Sequence, residues 1–255
     1  QILGENDVLE RARTRLAGAG IHSRRGNHRE ALRWCTSALE LAEEAQGEAE
    51  LAHGVSMLGT VHWHLGHIPE MITCSERSLT LYQSLGDLAG QAKTLHNLGI
   101  ACTESGDWGA ALGHFRHAIE IENQLGDVHN VAKSTNSLGV LLLRRGAVSA
   151  AAKAYQRCLD IWEGIGFPIG VALIWSNLGE VHIERQEWEL AFDDLKRSEE
   201  KLHEIESALF LPEVYRRQAL VYLHTDRLPE ARQLSDRSID LATKLSMTLE
   251  KGISL

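Results

Sequence analysis

The chain has 255 residues, 44% of them hydrophobic and 24% charged, with only four prolines and a formal charge of −9. That composition belongs to a folded, helix-rich protein rather than a disordered one, and the negative balance argues against direct nucleic-acid binding, which calls for a basic surface. Cys35, Cys74, Cys102 and Cys158 stand far apart with no CxxC pair, which suggests neither a disulfide framework nor a zinc site, and no apolar run approaches the roughly 18 residues of a membrane span.

Taken in chain order, the sequence repeats itself every 40 residues without a gap. The first unit has Ala19, a turn at Gly26 and Ala31; the second has Met57-Leu58-Gly59, Gly66 and Met71. The third and fourth carry Asn97-Leu98-Gly99, Gly106, Ala111 and Ser137-Leu138-Gly139, Gly146, Ala151. The fifth has Asn177-Leu178-Gly179, Gln186 and Ala191, and the sixth Arg217-Gln218-Ala219, Asp226 and Ala231. Within a unit the apolar positions step by three and four, as in Val131, Thr135, Leu138, Leu142 and, after the turn, Ala111, Phe115, Ala118. That spacing is one face of a helix and excludes a strand. Each unit is therefore read as helix, tight turn, helix, with the Gly and Ala columns letting two helix axes approach closely.

The joints agree with this phase. Gly86-Asp87 and Gly126-Asp127 fall where one unit ends and the next begins, Gly as the left-handed C-terminal residue and Asp as N-cap. Pro69, Pro168, Pro212 and Pro229 all fall in or near a first helical turn, where a missing N–H does little harm. Leu209-Phe210-Leu211-Pro212 replaces the Gly-Asp joint before the sixth unit, marking that junction as the weakest. Asn6-Asp7 has the phase of Gly86-Asp87, so residues 1 to 5 are expected to end an earlier helix and Thr248 to open another. With no polar cap visible, apolar ends suited to self-association are expected.

Trp175-x2-Leu178-Gly179-x2-His182 and Ala111-x3-Phe115-x2-Ala118 resemble the tetratricopeptide (TPR) signature, although that repeat usually spans 34 residues. HEAT and armadillo repeats share the longer period but lack these paired columns. The 40-residue form is similar to repeats of LGN/Pins polarity scaffolds, kinesin light chains and bacterial multidomain regulators. The resemblance implies an all-α fold: an α-solenoid, wound as a right-handed superhelix, of about six repeats. It covers 1–255 as a single solenoid domain with turns near 26, 66, 106, 146, 186 and 226, and the start at Gln1 suggests a domain excised from a longer protein.

Catalytic chemistry is not legible. There is no GxxxxGK[ST], HExxH or GxSxG, and Gly164-Ile165-Gly166 lies between helical units rather than after a strand, where a nucleotide loop would need to be. No enzyme activity and no cofactor are expected. Among thirteen histidines, His22, His62 and His182 occupy the family's Tyr column and read as packing residues with one ring nitrogen bonded. His62 and His64, two apart on a helix, point to different sides and His67 lies past the turn, while His114 with His117 supplies two ligands where a closed metal site needs more. The cysteines read as small hydrophobes, and Trp63, Trp108, Trp162, Trp175 and Trp188 as core or inter-repeat residues.

The resemblance also implies that first helices line a groove whose polar stripe meets the ligand. One column across the repeats reads Arg13, His53, Lys93, Lys133, Leu173, Glu213; the next includes Asn97, Ser137, Asn177 and Arg217, flanked by His96, Asn136 and Arg216. A basic row with Asn and Ser beside it suits an extended, acidic peptide, since amides both donate to and accept from a main chain; the plain alternative is a solvated helix face. The expected function is a protein or peptide interaction module in the cytoplasm, the sensor, partner-binding or autoinhibitory region of a bacterial transcriptional regulator or signalling NTPase. A polarity scaffold of the LGN type and an accessory domain of a hydrolase are the other readings.

Overall fold

The computed structural model describes residues 2–250, with side chains described over 6–245. Among the described residues there are twelve α-helices and no strand. They run in pairs: α1 (Ile2–Arg24) with α2 (His28–Glu44), α3 (Glu48–His64) with α4 (Ile68–Ser84), and α5 (Leu88–Ser105) with α6 (Trp108–Gln124). The second half repeats the plan with α7 (Val128–Arg144) and α8 (Val148–Gly164), α9 (Pro168–Glu184) and α10 (Trp188–Glu204), and α11 (Leu211–His224) and α12 (Leu228–Glu250). The fold is an all-α repeat solenoid. It divides into two compact units, one running to Asp127 and the other spanning Val128–Thr248.

Every turn solves the same backbone problem. Gly26, Gly66, Gly106 and Gly146 have φ between 73° and 83°, and Gln186 and Asp226 hold the same left-handed conformation at 59° and 58°. There the chain closes the helix with a bond from two residues on, as when the Asn27 N–H donates to the His22 carbonyl at 2.9 Å. A side chain at such a position costs about 1 kcal/mol, so Gly dominates without being obligatory. Asp87 caps α5 by accepting from the Gly90 N–H at 2.9 Å, and Asp107 caps α6 in the same way through Ala110.

Packing within a repeat rests on complementary volume. A Cβ at Gly99 would lie 2.5 Å from the Phe115 ring, one at Gly139 would lie 2.5 Å from Tyr155, and one at Gly179 would lie 2.7 Å from Leu195. In the first repeat the same column is Ala19, and its partner position holds the smaller Cys35. The joints use the rule again: Gly90 makes room for Tyr82, and Gly170 for Trp162. A second recurring device joins the two helices of a repeat. The hydroxyls of Ser78, Ser198 and Ser238 and the Cys158 thiol each donate to a carbonyl 26 residues earlier, at Ala52, Ala172, Pro212 and Ala132. Burial pushes the Cys158 and Cys35 thiols up to about 12, which keeps them protonated and inert.

Several sequence expectations need correction. No break occurs at Asn6-Asp7, because α1 is continuous from Ile2, and α12 runs unbroken past Thr248 to Glu250. On α1, Arg11, Thr14 and Arg15 are exposed at the positions where α3 carries Leu51, Gly54 and Val55. Leu228 and Ile239 at the other end are 59% and 61% exposed. Trp63 and Trp108 are surface residues, 39% and 42% exposed, whereas Trp188 stacks on His224 at 4.6 Å.

Candidate functional site: the inner face of the first helices

Within each unit the first helices of successive repeats touch one another, α1 with α3, α3 with α5, and α9 with α11. Their shared face holds the sequence-predicted residues, but in very different environments. In the first unit Arg13, His53 and Lys93 are exposed, Asn97 is half-buried, and His96 is buried edge-on against Phe115 with ring centroids 5.8 Å apart. In the second unit Lys133 is exposed, Asn136 and Ser137 are half-buried, and Asn177 and Arg217 are buried.

Between α1 and α3 lies an open pocket of about 510 Å³. Leu16, Ala17, Gly20, Ile21 and Met57 form an apolar floor, and Ile21 is 44% exposed. The rim is basic. Arg13 bridges Glu10 at 2.6 Å and Glu50 at 2.7 Å, and Arg24 lies back across Gly20, its Nη1 only 3.5 Å from where a Cβ there would stand. His53 completes the rim; burial, and then the nearby Lys93 charge, lower its pKa, so the imidazole is neutral at pH 7. The hollow exists because the first repeat carries Ala17 and Gly20 where the others place Thr60, Ile100, Val140, Glu180 and Leu220 at the second position.

The equivalent place between α9 and α11 is filled. Arg217 donates to Ser176 Oγ at 2.6 Å, to Asn177 Oδ1 at 3.3 Å and to Glu180 at 2.6 Å, and its Nε lies 3.1 Å from Glu213. Asn177 in turn donates to Asn136 Oδ1 at 2.9 Å. Arg216 is exposed and holds Glu213 from the same helix, which keeps the Glu213 carboxyl below its ordinary range. A buried guanidinium is tolerable only when most of its hydrogen-bonding capacity is met; here both terminal nitrogens are bonded, while the buried Nε has only its charge contact with Glu213. Asn177, Arg216 and Arg217 are therefore engaged with protein groups.

The histidines behave less simply than their spacing suggested. His67 lies past the turn at Gly66, which nevertheless brings its Nδ1 within 3.3 Å of His62 Nδ1. His182 does bond through one ring nitrogen, to Glu187 at 2.5 Å. His22 packs near Trp34 with its Nδ1 buried and unbonded. Among the described residues no three histidine, cysteine or acidic groups gather as metal ligands, and no helix is long and apolar enough to cross a membrane.

The repeat geometry and the Gly-aromatic columns define a class, and family models agree with it. A tetratricopeptide-repeat model matches residues 50–124 and another matches 131–165. The chain is a tetratricopeptide-repeat protein. No curated protein sequence matches it, but solved structures share its fold. One is a Rap protein complexed with Competence and Sporulation Factor, with TM-score 0.73 and 15% identity over 91% of this chain and 75% of that one. Another is the quorum sensor NprR from B. thuringiensis in its apo form, with TM-score 0.66 and 16% identity over 87% of this chain and 64% of that one. A STAND signal-transduction ATPase with a tetratricopeptide-repeat sensor, PH0952 from Pyrococcus horikoshii, gives TM-score 0.73 and 16% identity over 93% of this chain and 37% of that one. At these identities the likeness concerns the fold.

Proposed function

We infer that this interaction module is the sensing or partner-binding part of a regulatory protein, and that it recognises an acidic peptide segment along the inner face of its first helices. The observation that carries this reading is the pair of exposed cations Arg13 and Lys93, with the exposed but neutral His53 on the helix between them, beside an open apolar pocket. A chain of net charge −9 that keeps cations on this face is equipped to select partners of opposite charge, because complementary charge speeds encounter and rejects wrong partners. The Rap, NprR and STAND likenesses support a sensor or regulatory setting. Nothing in the chain's motifs calls for a catalytic role.

The test is capture of the native partner by wild-type protein and by charge-reversal variants. Lys93→Glu and Lys133→Glu should each weaken capture and its salt sensitivity, since screening acts within ~8 Å at physiological ionic strength. Arg116→Glu and Arg157→Glu, on exposed faces of α6 and α8, should leave it unchanged. Arg197 is a poor control because its guanidinium lies 4.7 Å over the Trp175 ring. Capture lost equally in the α6 and α8 variants would refute recognition by the inner face.

A further inference from the structure

We propose that the pocket between α1 and α3 is an anchor site for an aliphatic side chain with a carboxylate one residue away, so that Ile21, Leu16 and Met57 hold the apolar group while Arg24 meets the acid. This rests on the inner face being the recognition surface and assigns the chemistry that one pocket selects.

Most helical glycines of this chain are dictated by packing: a Cβ at Gly90, Gly99, Gly139 or Gly170 would come within 2.5 Å of an aromatic ring. At Gly20 a Cβ would meet only Arg24 Nη1 at 3.5 Å and Met57 Cε at 3.8 Å, both ordinary contacts made by the ends of flexible chains. The fold does not need the space that Gly20 leaves, and a helix interior disfavours glycine. The hollow is lined by large apolar groups, and Ile21 remains 44% exposed, so water is a poor occupant.

The acid follows from the rim. Arg13 already faces two carboxylates, Glu10 and Glu50, so it holds the pocket edge in shape. Arg24 forms no ion pair among the described residues and lies over the floor. A ligand that brings its own carboxylate supplies the counter-charge that Arg24 lacks, whereas a basic ligand would set like charge against Arg24. The pocket between α9 and α11 shows what such a place looks like when the chain completes it itself: Glu180 supplies the acid and Arg217 the base.

The experiment uses ε-13C-methionine spectra of the full chain, in which the Met57 methyl reports on the pocket and Met71, 2% exposed, serves as an internal reference. Acetyl-Leu-Glu-amide should shift Met57 saturably and leave Met71 still. Acetyl-Leu-Lys-amide and acetyl-Ser-Glu-amide should bind at least about fivefold more weakly, the scale of one lost ionic or apolar contact. Gly20→Leu should abolish the shift, Arg24→Glu should reverse the Glu-over-Lys preference, and Arg25→Glu should change neither. A Met57 methyl that does not move, or moves equally with the Lys peptide, overturns the pocket assignment. If partner capture nevertheless depends on Lys93 or Lys133, the recognition module stands without this pocket; capture that no first-helix variant affects removes the module reading itself.

Discussion

The same columns are hollow between α1 and α3 and plugged between α9 and α11. In the first unit Ala17, Gly20 and Met57 leave an open pocket with Arg13 and Arg24 on its rim. In the second, Asn177, Glu180 and Arg217 occupy the corresponding positions and spend their polar groups on one another. The repeat scaffold therefore decides where a side chain points, while the identity of two or three residues decides whether a face is a binding surface or a structural seam. A polar column is not by itself a ligand site; what matters is whether its members are long enough and oppositely charged enough to reach each other first.

The sharpest way to break this comparison is one substitution made twice. Gly139→Leu in the second unit must displace the Tyr155 ring, which a Cβ would meet at 2.5 Å, and should destabilise that unit by about 3 kcal/mol or more through overpacking. Gly20→Leu in the first unit meets no such obstacle and should leave thermal unfolding unchanged or raised. Equal losses in the two variants, read by hydrogen exchange resolved to each unit, would mean the pocket is structural.

Next in size is the Arg217 network. Arg217→Ala leaves Glu180 and Glu213 facing each other without their common counter-charge, and because both carboxylates are partly exposed the expected loss is about 2 kcal/mol, below that of a fully buried pair. Arg13→Ala, which breaks an exposed pair with Glu10 and leaves Glu50, whose side chain is 11% exposed, without its guanidinium, should cost less than Arg217→Ala. The fifth-to-sixth repeat junction, whose sequence departs from pattern, is bridged by this network and by Gln218 donating to Glu199 at 2.9 Å, so Arg217→Ala should raise exchange selectively in α11.

Acid should separate the units in order. In the first unit His53, His62, His64 and His114 all have pKa values lowered from 6.5, in each case chiefly by burial. A histidine that resists protonation when folded leaves the unfolded chain binding more protons, so its contribution is intact above 6.5 and declines as pH falls through that value toward the folded pKa. In the second unit Glu213 is held below 4.5, mainly by its hydrogen bonds from Arg216, and its contribution is lost only on further acidification. Buried Asp194 is raised and works in the opposite sense. Hydrogen exchange at about pH 5.5 against pH 7 should therefore show the first unit loosening while the second holds. A small effect of opposite sign belongs to Gly20→Ala, expected to stabilise the first unit by about 0.5 to 1 kcal/mol, measured as a rise in its denaturation midpoint.

Much of this molecule is legible in one dimension. A gapless 40-residue period places equivalent residues in equivalent surroundings, so the helix pairs, the left-handed turns and the need for glycine opposite Phe115 and Tyr155 all follow from local backbone geometry and repetition. Even Gln186 and Asp226 are placed in their unusual conformation by position alone. What repetition does not determine is pairing between residues 37 to 41 apart, such as Arg217 with Glu180 and Asn177 with Asn136, because that depends on side-chain length and on which partner arrives across the helix interface. The same holds for the hollow at Gly20, which is defined by what its neighbours do not fill. The sequence by itself determined the repeat and its backbone, since those depend on short-range sterics; only the tertiary structure decided which polar side chains remain for a partner, since that is settled by competition among groups brought together by folding.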